Sequence, residues 1–155
     1  MYGSYLIRVL ILISTALCAS VVRPAQFMGL GQLIGDTESG ATAVSTDGTV
    51  VVGWSGVASD PIDPRKQAFR WTATNGMEGL GSLGYRESNA SGVSGDGSVV
   101  VGSCYTEYYG GPKPSYSSET FRWTAANGME GLGHLPDDTH SGAGDVSTDG
   151  KVVVG

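Results

Sequence analysis

Apolar residues along this chain fall into short runs that glycine-rich turns separate. The clearest runs are three valine triplets, at positions 50–52, 99–101 and 152–154. Three consecutive β-branched residues place apolar side chains on both faces of a strand, whereas a strand with one solvated face alternates apolar and polar residues. The pattern therefore predicts β-sheets that are covered on both sides.

The triplets belong to a sequence repeat of about fifty residues. The segment Met28-Gly-Leu-Gly-Gln-Leu33 returns, with a glutamate inserted, at 77–83 and at 129–135. The motif Phe-Arg-Trp-Thr-Ala begins at Phe69 and again at Phe121. We therefore interpret residues 26–155 as one repeat region, with units at approximately 28–83 and 84–135 and a partial unit at 136–155.

Turn residues divide each unit into four short strands. In the second unit the predicted strands are Ala90 to Ser94, Ser98 to Cys104, Glu119 to Thr124 and Met129 to Leu135. Asp-Gly and Asn-Gly pairs tolerate the positive φ of tight hairpins, so they are predicted to be structural turns. These turn residues are Asp47, Gly48, Asp96, Gly97, Asp149, Gly150, Asn75, Gly76, Asn127 and Gly128. The segment from Tyr105 to Ser118, which contains two prolines and two adjacent glycines, is predicted to be a variable loop.

Repeated four-stranded antiparallel units predict an all-β, propeller-like fold, with a stacked β-solenoid as the alternative. The chain supplies about two and a half units, whereas closed propellers have roughly 4–8 blades. The expectation is an incomplete array, either from a truncated reading frame or in a protomer that completes its sheets with another chain. Open strand edges would then favour self-association.

Residues 1–25 have the pattern of a secretory signal peptide. Arg8 precedes an apolar run from Val9 to Ala19, and small residues follow it. The alternative is an uncleaved anchor, which would be the chain's only contact with a membrane. The signal-peptide interpretation predicts export, with the periplasm in transit, to a secreted, extracellular or cell-surface location. If Cys18 leaves with the signal, Cys104 is the only cysteine and no intrachain disulfide forms.

Taken together, the motifs Gly-Leu-Gly-x-Leu, Val-Ser-x-Asp-Gly-x-Val-Val-Val-Gly and Phe-Arg-Trp-Thr resemble the extracellular HAF repeat, over Met28 to Gly155. The resemblance implies an exported bacterial protein, of a kind that includes parts of autotransporters and mostly has no assigned activity. The His-Ala-Phe core of that family reads Gln67-Ala68-Phe69 and Glu119-Thr120-Phe121 here, so both histidines are missing.

Composition excludes several classes of function. The chain has 25 glycines, only 15% charged residues and a net charge of −6. Its longest basic cluster is Arg65-Lys66, which argues against a nucleic-acid partner. No catalytic constellation is present, so the sequence predicts a non-enzymatic protein without cofactor or metal.

Two groups of residues are candidate metal sites, although the argument for each is weak. Each Asp-Gly turn has a single aspartate, whereas a calcium loop needs oxygen ligands at several positions. His134, Asp137, Asp138 and His140 could supply nitrogen and oxygen ligands, but the matching loops of the other units contain no histidine. We therefore interpret both groups as structural.

Aromatic residues outside the core pattern are the candidates for ligand contact. Tyr105, Tyr108, Tyr109 and Tyr116 fall in the predicted loop, and such aromatic rings can stack on a ligand. Trp71 and Trp123 recur with the strand pattern and are predicted to pack. Arg70 and Arg122 alternate with these aromatics and are expected to pair with carboxylates, with the turn aspartates as candidate partners.

Two functions from different classes fit these features. The first is an exported, non-catalytic β-repeat module for surface interaction or adhesion, whose partner is a surface protein or a glycan. The alternative is a carbohydrate-binding or carbohydrate-processing propeller.

Overall fold

The computed structural model describes residues 27–57, 65–108 and 115–155, without the side chains of Tyr108 and Ser115. The predicted signal segment 1–25 and Tyr109 lie outside this part of the chain. Across these ranges the secondary structure consists of ten β-strands, without helices. No membrane-spanning helix is found in them either. The all-β class is confirmed.

The strands form two four-stranded antiparallel sheets and a short hairpin. The first sheet has the order β1-β2-β3-β4 and the second has the order β5-β6-β7-β8. The terminal hairpin pairs β9 with β10. The bounds are β1 Glu38–Val44, β2 Val50–Val57, β3 Arg65–Thr72, β4 Gly76–Gly81, β5 Glu87–Val93, β6 Val99–Tyr108, β7 Ser115–Thr124, β8 Gly128–Gly131, β9 Asp145–Val146 and β10 Val153–Val154.

Glycine makes the tight turns of these hairpins possible. The Asp-Gly turns join the first and second strands of each unit, and the Asn-Gly turns join the third and fourth strands. The glycine φ values lie between 70° and 73°, in the region that L side chains rarely adopt. These glycines are Gly48, Gly76, Gly97, Gly128 and Gly150.

Several predicted strand boundaries in the second unit are wrong, and the first strand begins at Glu87 rather than Ala90. The segment from Tyr105 to Ser118 is not wholly a loop, because β6 continues to Tyr108 and β7 begins at Ser115. Cross-strand pairing extends the ladder there, with Tyr105 opposite Ser118 and Glu107 opposite Tyr116. The fourth strand ends at Gly131 rather than Leu135, and Gly133 then turns the chain with a φ of 73°.

The second valine triplet lies where the two-sided pattern requires, whereas Val152 and Val154 of the third triplet are 58% and 57% exposed. Val100 is fully buried in the cluster between the first and second sheets, with Val50 and Val52 opposite it. Val99 and Val101 point to the other side, where they pack against Ala143, Val146 and Val153. The second sheet is therefore covered on both faces, as predicted.

A serine at the start of the second unit and of the third unit forms hydrogen bonds with the preceding sheet. We call these two residues, Ser88 and Ser141, the clasp serines and their bonds the clasp. Ser88 Oγ accepts a hydrogen bond from the Ala68 amide at 2.8 Å and donates to the Gly81 carbonyl at 2.6 Å. Ser141 Oγ makes the equivalent bonds with the Thr120 amide and the Gly133 carbonyl, at 2.8 and 2.7 Å. Each serine thus satisfies two backbone groups of its neighbouring unit.

The Asp-Gly turns of successive units are also joined. The Thr46 amide donates to the Gly95 carbonyl at 3.1 Å, and the Gly95 amide donates to the Thr148 carbonyl at 2.9 Å. The same bond thus recurs from unit to unit, and the units stack with one repeated geometry. The sheets of the described ranges do not close into a ring.

Candidate functional site

An aromatic surface lies on the extended end of the β6–β7 hairpin. The rings of Tyr105 and Tyr116 have centroids 6.3 Å apart and are inclined by 34°. His140 lies on the other side of Tyr116, with centroids 5.1 Å apart. We call Tyr105, Tyr116 and His140 the tyrosine face.

Strand geometry brings these three residues together. Tyr105 is paired with Ser118, and Tyr116 precedes Ser118 by two residues, so both tyrosines project from the same side of the sheet. His140 reaches them because it forms a parallel bridge with Ser118 just before the clasp serine, Ser141. Sequence reasoning grouped His140 with acidic residues and missed its contact with Tyr116.

Acidic groups give the tyrosine face its electrostatic character. Burial raises the pKa of Tyr105 far above its ordinary value, and the neighbouring Glu87 charge adds to the shift. The protonated Tyr105 hydroxyl donates to the Glu87 carboxylate, its neighbour across the β5–β6 pair. Glu107 contributes a further negative charge near Tyr105. The face therefore combines aromatic area with hydrogen-bond acceptors.

The four tyrosines predicted to contact a ligand lie in different surroundings. Tyr105 is half-buried, and Tyr116 is 48% exposed and presents its ring to solvent. Tyr108 ends β6 opposite Ser115, and Tyr109 lies outside the described residues. The structure thus brings Tyr105 and Tyr116 together, and it places both on strands rather than in a loop.

The turn aspartates bind within their own turns. Asp96 Oδ1 accepts hydrogen bonds from the Ser98 amide at 3.0 Å and from the Ser94 hydroxyl at 2.7 Å. The Ser98 amide, followed by the Ser94 and Ser98 hydroxyls, lowers the pKa of Asp96 to about 2. The pKa values of Asp47 and Asp149 are lowered as well, chiefly by hydrogen bonds from Ser45 and Ser147.

The Asn-Gly turns also have internal partners. The Asn75 side-chain amide donates to Glu78 at 3.3 Å, and the backbone amide of Asn75 donates to the Thr72 hydroxyl at 3.2 Å. Asn127 makes the matching contacts with Glu130 and Thr124. These side chains hold the third and fourth strands of each sheet in register.

The expected pairing of Arg70 with a turn aspartate is wrong. Its guanidinium lies 4.0 Å from the Glu78 carboxylate across the β3–β4 pair, and Nε donates to the Gly97 carbonyl at 3.4 Å. It also lies 5.9 Å from the Trp123 ring centroid. The Asp96 carboxylate is already bound within its turn, so Arg70 reaches the turn's backbone instead.

The corresponding residues of the second sheet keep this strand arrangement. Arg122 stands opposite Glu130 in the β7–β8 register. Trp123 packs against the core between the sheets, whereas Trp71 lies on the opposite face of the first sheet and is half-buried.

The residues of the second candidate metal site, the histidines and aspartates between positions 134 and 140, make separate contacts. His134 Nε2 is 2.7 Å from the Ser118 carbonyl, and His140 stacks on Tyr116. Asp137 occupies a turn with a φ of 70°. Within residues 27–57, 65–108 and 115–155, no three His, Cys, Asp or Glu side chains converge in a way that could hold a metal ion.

Cys104 is fully buried beside Met129, with its sulfur 3.6 Å from the methionine sulfur. Burial, with a smaller effect from the Glu119 charge, raises the pKa of the thiol to about 12. Because the thiolate is the reactive form, Cys104 is a packing residue rather than a nucleophile.

Comparison with known proteins gives no relative from which a role could be transferred. No family model, curated protein or solved structure matches the chain significantly.

Proposed function

We propose that this chain is an exported, non-catalytic β-repeat module of the HAF type that acts in surface interaction or adhesion. The N-terminal signal pattern supports export, and the stacked sheets supply a rigid scaffold. In this proposal the sheets continue a propeller-like array, with the solenoid as its alternative. The partner is a surface protein or a glycan.

The observation that carries the proposal is the tyrosine face. Its most exposed ring, Tyr116, lies where the β6–β7 hairpin extends beyond its counterpart β2–β3, which ends at the Val57–Arg65 pair. The residue equivalent to Tyr105 in the first sheet is Gly56, where a Cβ atom would collide with the Arg65 carbonyl. The first sheet therefore has no room for such a side chain, and the aromatic surface is a specific addition to the second unit.

The test is binding of the labelled full chain to immobilised extracellular proteins and to an array of neutral and acidic oligosaccharides. We expect Tyr116→Ser to weaken binding to the responding probe at least tenfold, because Tyr116 is the most exposed ring of the face. Ile34→Ser is the matched control, since Ile34 is fully exposed outside the face. Equal binding by wild type and Tyr116→Ser would remove the tyrosine face from the proposal.

The second candidate is a carbohydrate-binding or carbohydrate-processing surface. Aromatic rings beside carboxylates favour it, because sugars present apolar faces with hydroxyl groups at their edges. On the array, this candidate predicts a response to oligosaccharides alone, with Glu107→Gln weakening binding as well. Release of free sugar from a bound oligosaccharide would distinguish processing from binding.

A further inference from the structure

A basic cavity of about 230 Å³ lies at the end of the β2–β3 hairpin. Its walls are the segment before β1, the start of β3 and the connection between β4 and β5. Three cationic side chains and one carboxylate line it, although the chain has a net charge of −6. The lining includes Leu33, Asp36, Arg65, Lys66, Gln67 and Arg86.

A buried serine of β2 fixes the first wall. Ser55 Oγ accepts a hydrogen bond from the Leu33 amide at 3.0 Å and donates to the Asp36 carboxylate at 2.7 Å. Ser55 is fully buried, and it pairs with Gln67 across the β2–β3 ladder. The segment before β1 is therefore held against the start of β3.

The clasp fixes the opposite wall. Ser88 Oγ accepts a hydrogen bond from the Ala68 amide at 2.8 Å. Arg86 precedes Ser88 by two residues and Lys66 precedes Ala68 by two residues, so this bond brings the two cations to one cavity. The Lys66 ammonium also lies 4.7 Å from the centroid of the Trp54 ring, which orients its side chain.

The repeat does not require these cations, because the second unit forms the same boundary with hydroxyl residues. In the repeat alignment, Arg65, Lys66 and Arg86 correspond to Ser117, Ser118 and Thr139. The clasp of Ser141 nevertheless forms there, with bonds of 2.8 and 2.7 Å. The three cations are therefore a specific addition to the first unit.

The lining indicates an anionic ligand that also carries hydroxyl groups. Arginine presents its N–H donors in a planar fork that matches a carboxylate. The Asp36 carboxylate only accepts hydrogen bonds and repels a bare anion, so the ligand must bring hydroxyl donors to it. Pockets for whole small molecules have volumes of about 300–1,000 Å³, so this smaller cavity suits one unit of a larger ligand.

We propose that the basic cavity binds one uronic-acid unit of an acidic oligosaccharide. The sugar carboxylate lies between Arg65 and Arg86, with Lys66 as a third positive charge, and a sugar hydroxyl donates to Asp36. This inference rests on the proposed function only for the presence of a glycan partner, and it uses no residue of the tyrosine face.

The probe is trigalacturonic acid, and its methyl ester is the matched ligand, because esterification removes the negative charges and keeps the ring hydroxyls. Titration calorimetry with the full chain measures both affinities. We expect saturable binding of the acid and at least about tenfold weaker binding of the ester. Arg65→Gln should also weaken binding of the acid at least about tenfold. Lys151→Gln removes the same charge from an exposed side chain in the third Asp-Gly turn, and it should change the affinity less than about twofold.

Arg86→Gln repeats the test from the opposite wall, and thermal melts confirm that each variant is folded. Equal binding of acid and ester, no binding of either, or equal affinities of Arg65→Gln, Arg86→Gln and Lys151→Gln would each overturn the proposal. Sodium sulfate, compared at constant ionic strength, is the bare anion. Sulfate binding as tight as that of the sugar would overturn the assignment to a saccharide. Tyr116→Ser should bind the acid like wild type, and loss of binding in that variant alone would assign the sugar to the tyrosine face instead.

Discussion

Replacement of Ser88 by alanine tests whether the serine clasp holds successive units together. Ser88 and Ala68 are both fully buried. The Ser88 hydroxyl oxygen accepts a hydrogen bond from the Ala68 amide at 2.8 Å. The same hydroxyl also donates to the Gly81 carbonyl at 2.6 Å. Alanine removes one oxygen atom and leaves an amide and a carbonyl without this partner.

The magnitude follows from the two backbone groups that lose their bonds. A buried donor or acceptor left unsatisfied costs about 1–3 kcal/mol, so we expect Ser88→Ala to lower the free energy of unfolding by about 2–4 kcal/mol. Ser39 is the matched control, because it occupies the same repeat position but is exposed and makes one such bond, to Gly31. Ser39→Ala should cost about 1 kcal/mol or less.

Urea unfolding of both variants, followed by tryptophan fluorescence and by circular dichroism, measures the difference. With a slope of about 2 kcal/mol per molar urea, the Ser88→Ala midpoint should fall by about 1–2 M. Coincidence of the two probes is the control for two-state unfolding. Equal midpoints for Ser88→Ala and Ser39→Ala would refute the clasp as a source of stability.

Three further predictions concern the turns and the N-terminus. Gly97→Val should lower the free energy of unfolding by about 2–5 kcal/mol, because Gly97 has a φ of 70° and a Cβ atom there meets the side chain of Val50. Asp96→Asn should cost less, and a calcium-dependent melting midpoint that disappears in Asp96→Ala would overturn the structural interpretation of the turn. The folded-state pKa of Asp96, about 2, lies below its ordinary value of 3.8, so its contribution to stability is present above pH 3.8 and is lost as pH falls through about 2. Urea midpoints between pH 2 and 5 measure this, and Ser94→Ala should reduce the dependence. N-terminal sequencing of exported material should show a start between Cys18 and Gln26, whereas an intact Met1 found only in membranes would support the anchor.

The turns and strand number could be predicted because their signals are local. Asp-Gly and Asn-Gly pairs adopt positive φ with little dependence on distant contacts, and every such glycine of the described residues does so. The valine triplets likewise predicted a sheet buried on both faces. This prediction needs only the alternation of side chains along a strand, and Val99, Val100 and Val101 satisfy it.

The length of the β6–β7 hairpin could not be predicted from local sequence. Prolines and adjacent glycines follow Tyr109, and they led to the whole segment from Tyr105 to Ser118 being interpreted as a loop. Cross-strand pairs extend the ladder to Tyr108 and Ser115 instead. Strand preference depends on such neighbours more than on the residue itself.

Contacts between units were the least predictable part of the candidate site. His140 joins Tyr116 because Ser141 anchors the next unit on β7, and no residue near His140 indicates that placement. Arg70 likewise contacts Trp123, which is 53 positions away in the sequence. Only the packing of one sheet on the next creates these neighbours.

The differences in length between the two complete units show where the fold admits change. The spacing from Gly53 to Phe69 is 16 residues, and the equivalent spacing from Gly102 to Phe121 is 19, so the second unit has three more residues in its middle hairpin. The spacing from Phe69 to Gly81 equals that from Phe121 to Gly133, at 12 residues, so the bonds of the clasp keep their register.

The additional residues lengthen the hairpin at its free end, beyond the pair equivalent to Val57 and Arg65. Tyr116 lies in this extension, and Tyr105 lies beside it. The packing between sheets therefore constrains the clasp and the core, while the hairpin end can change length without disturbing either. A binding surface at that end can vary from unit to unit while the scaffold keeps one geometry, which is why we place the interaction of this module there rather than in the repeated turns.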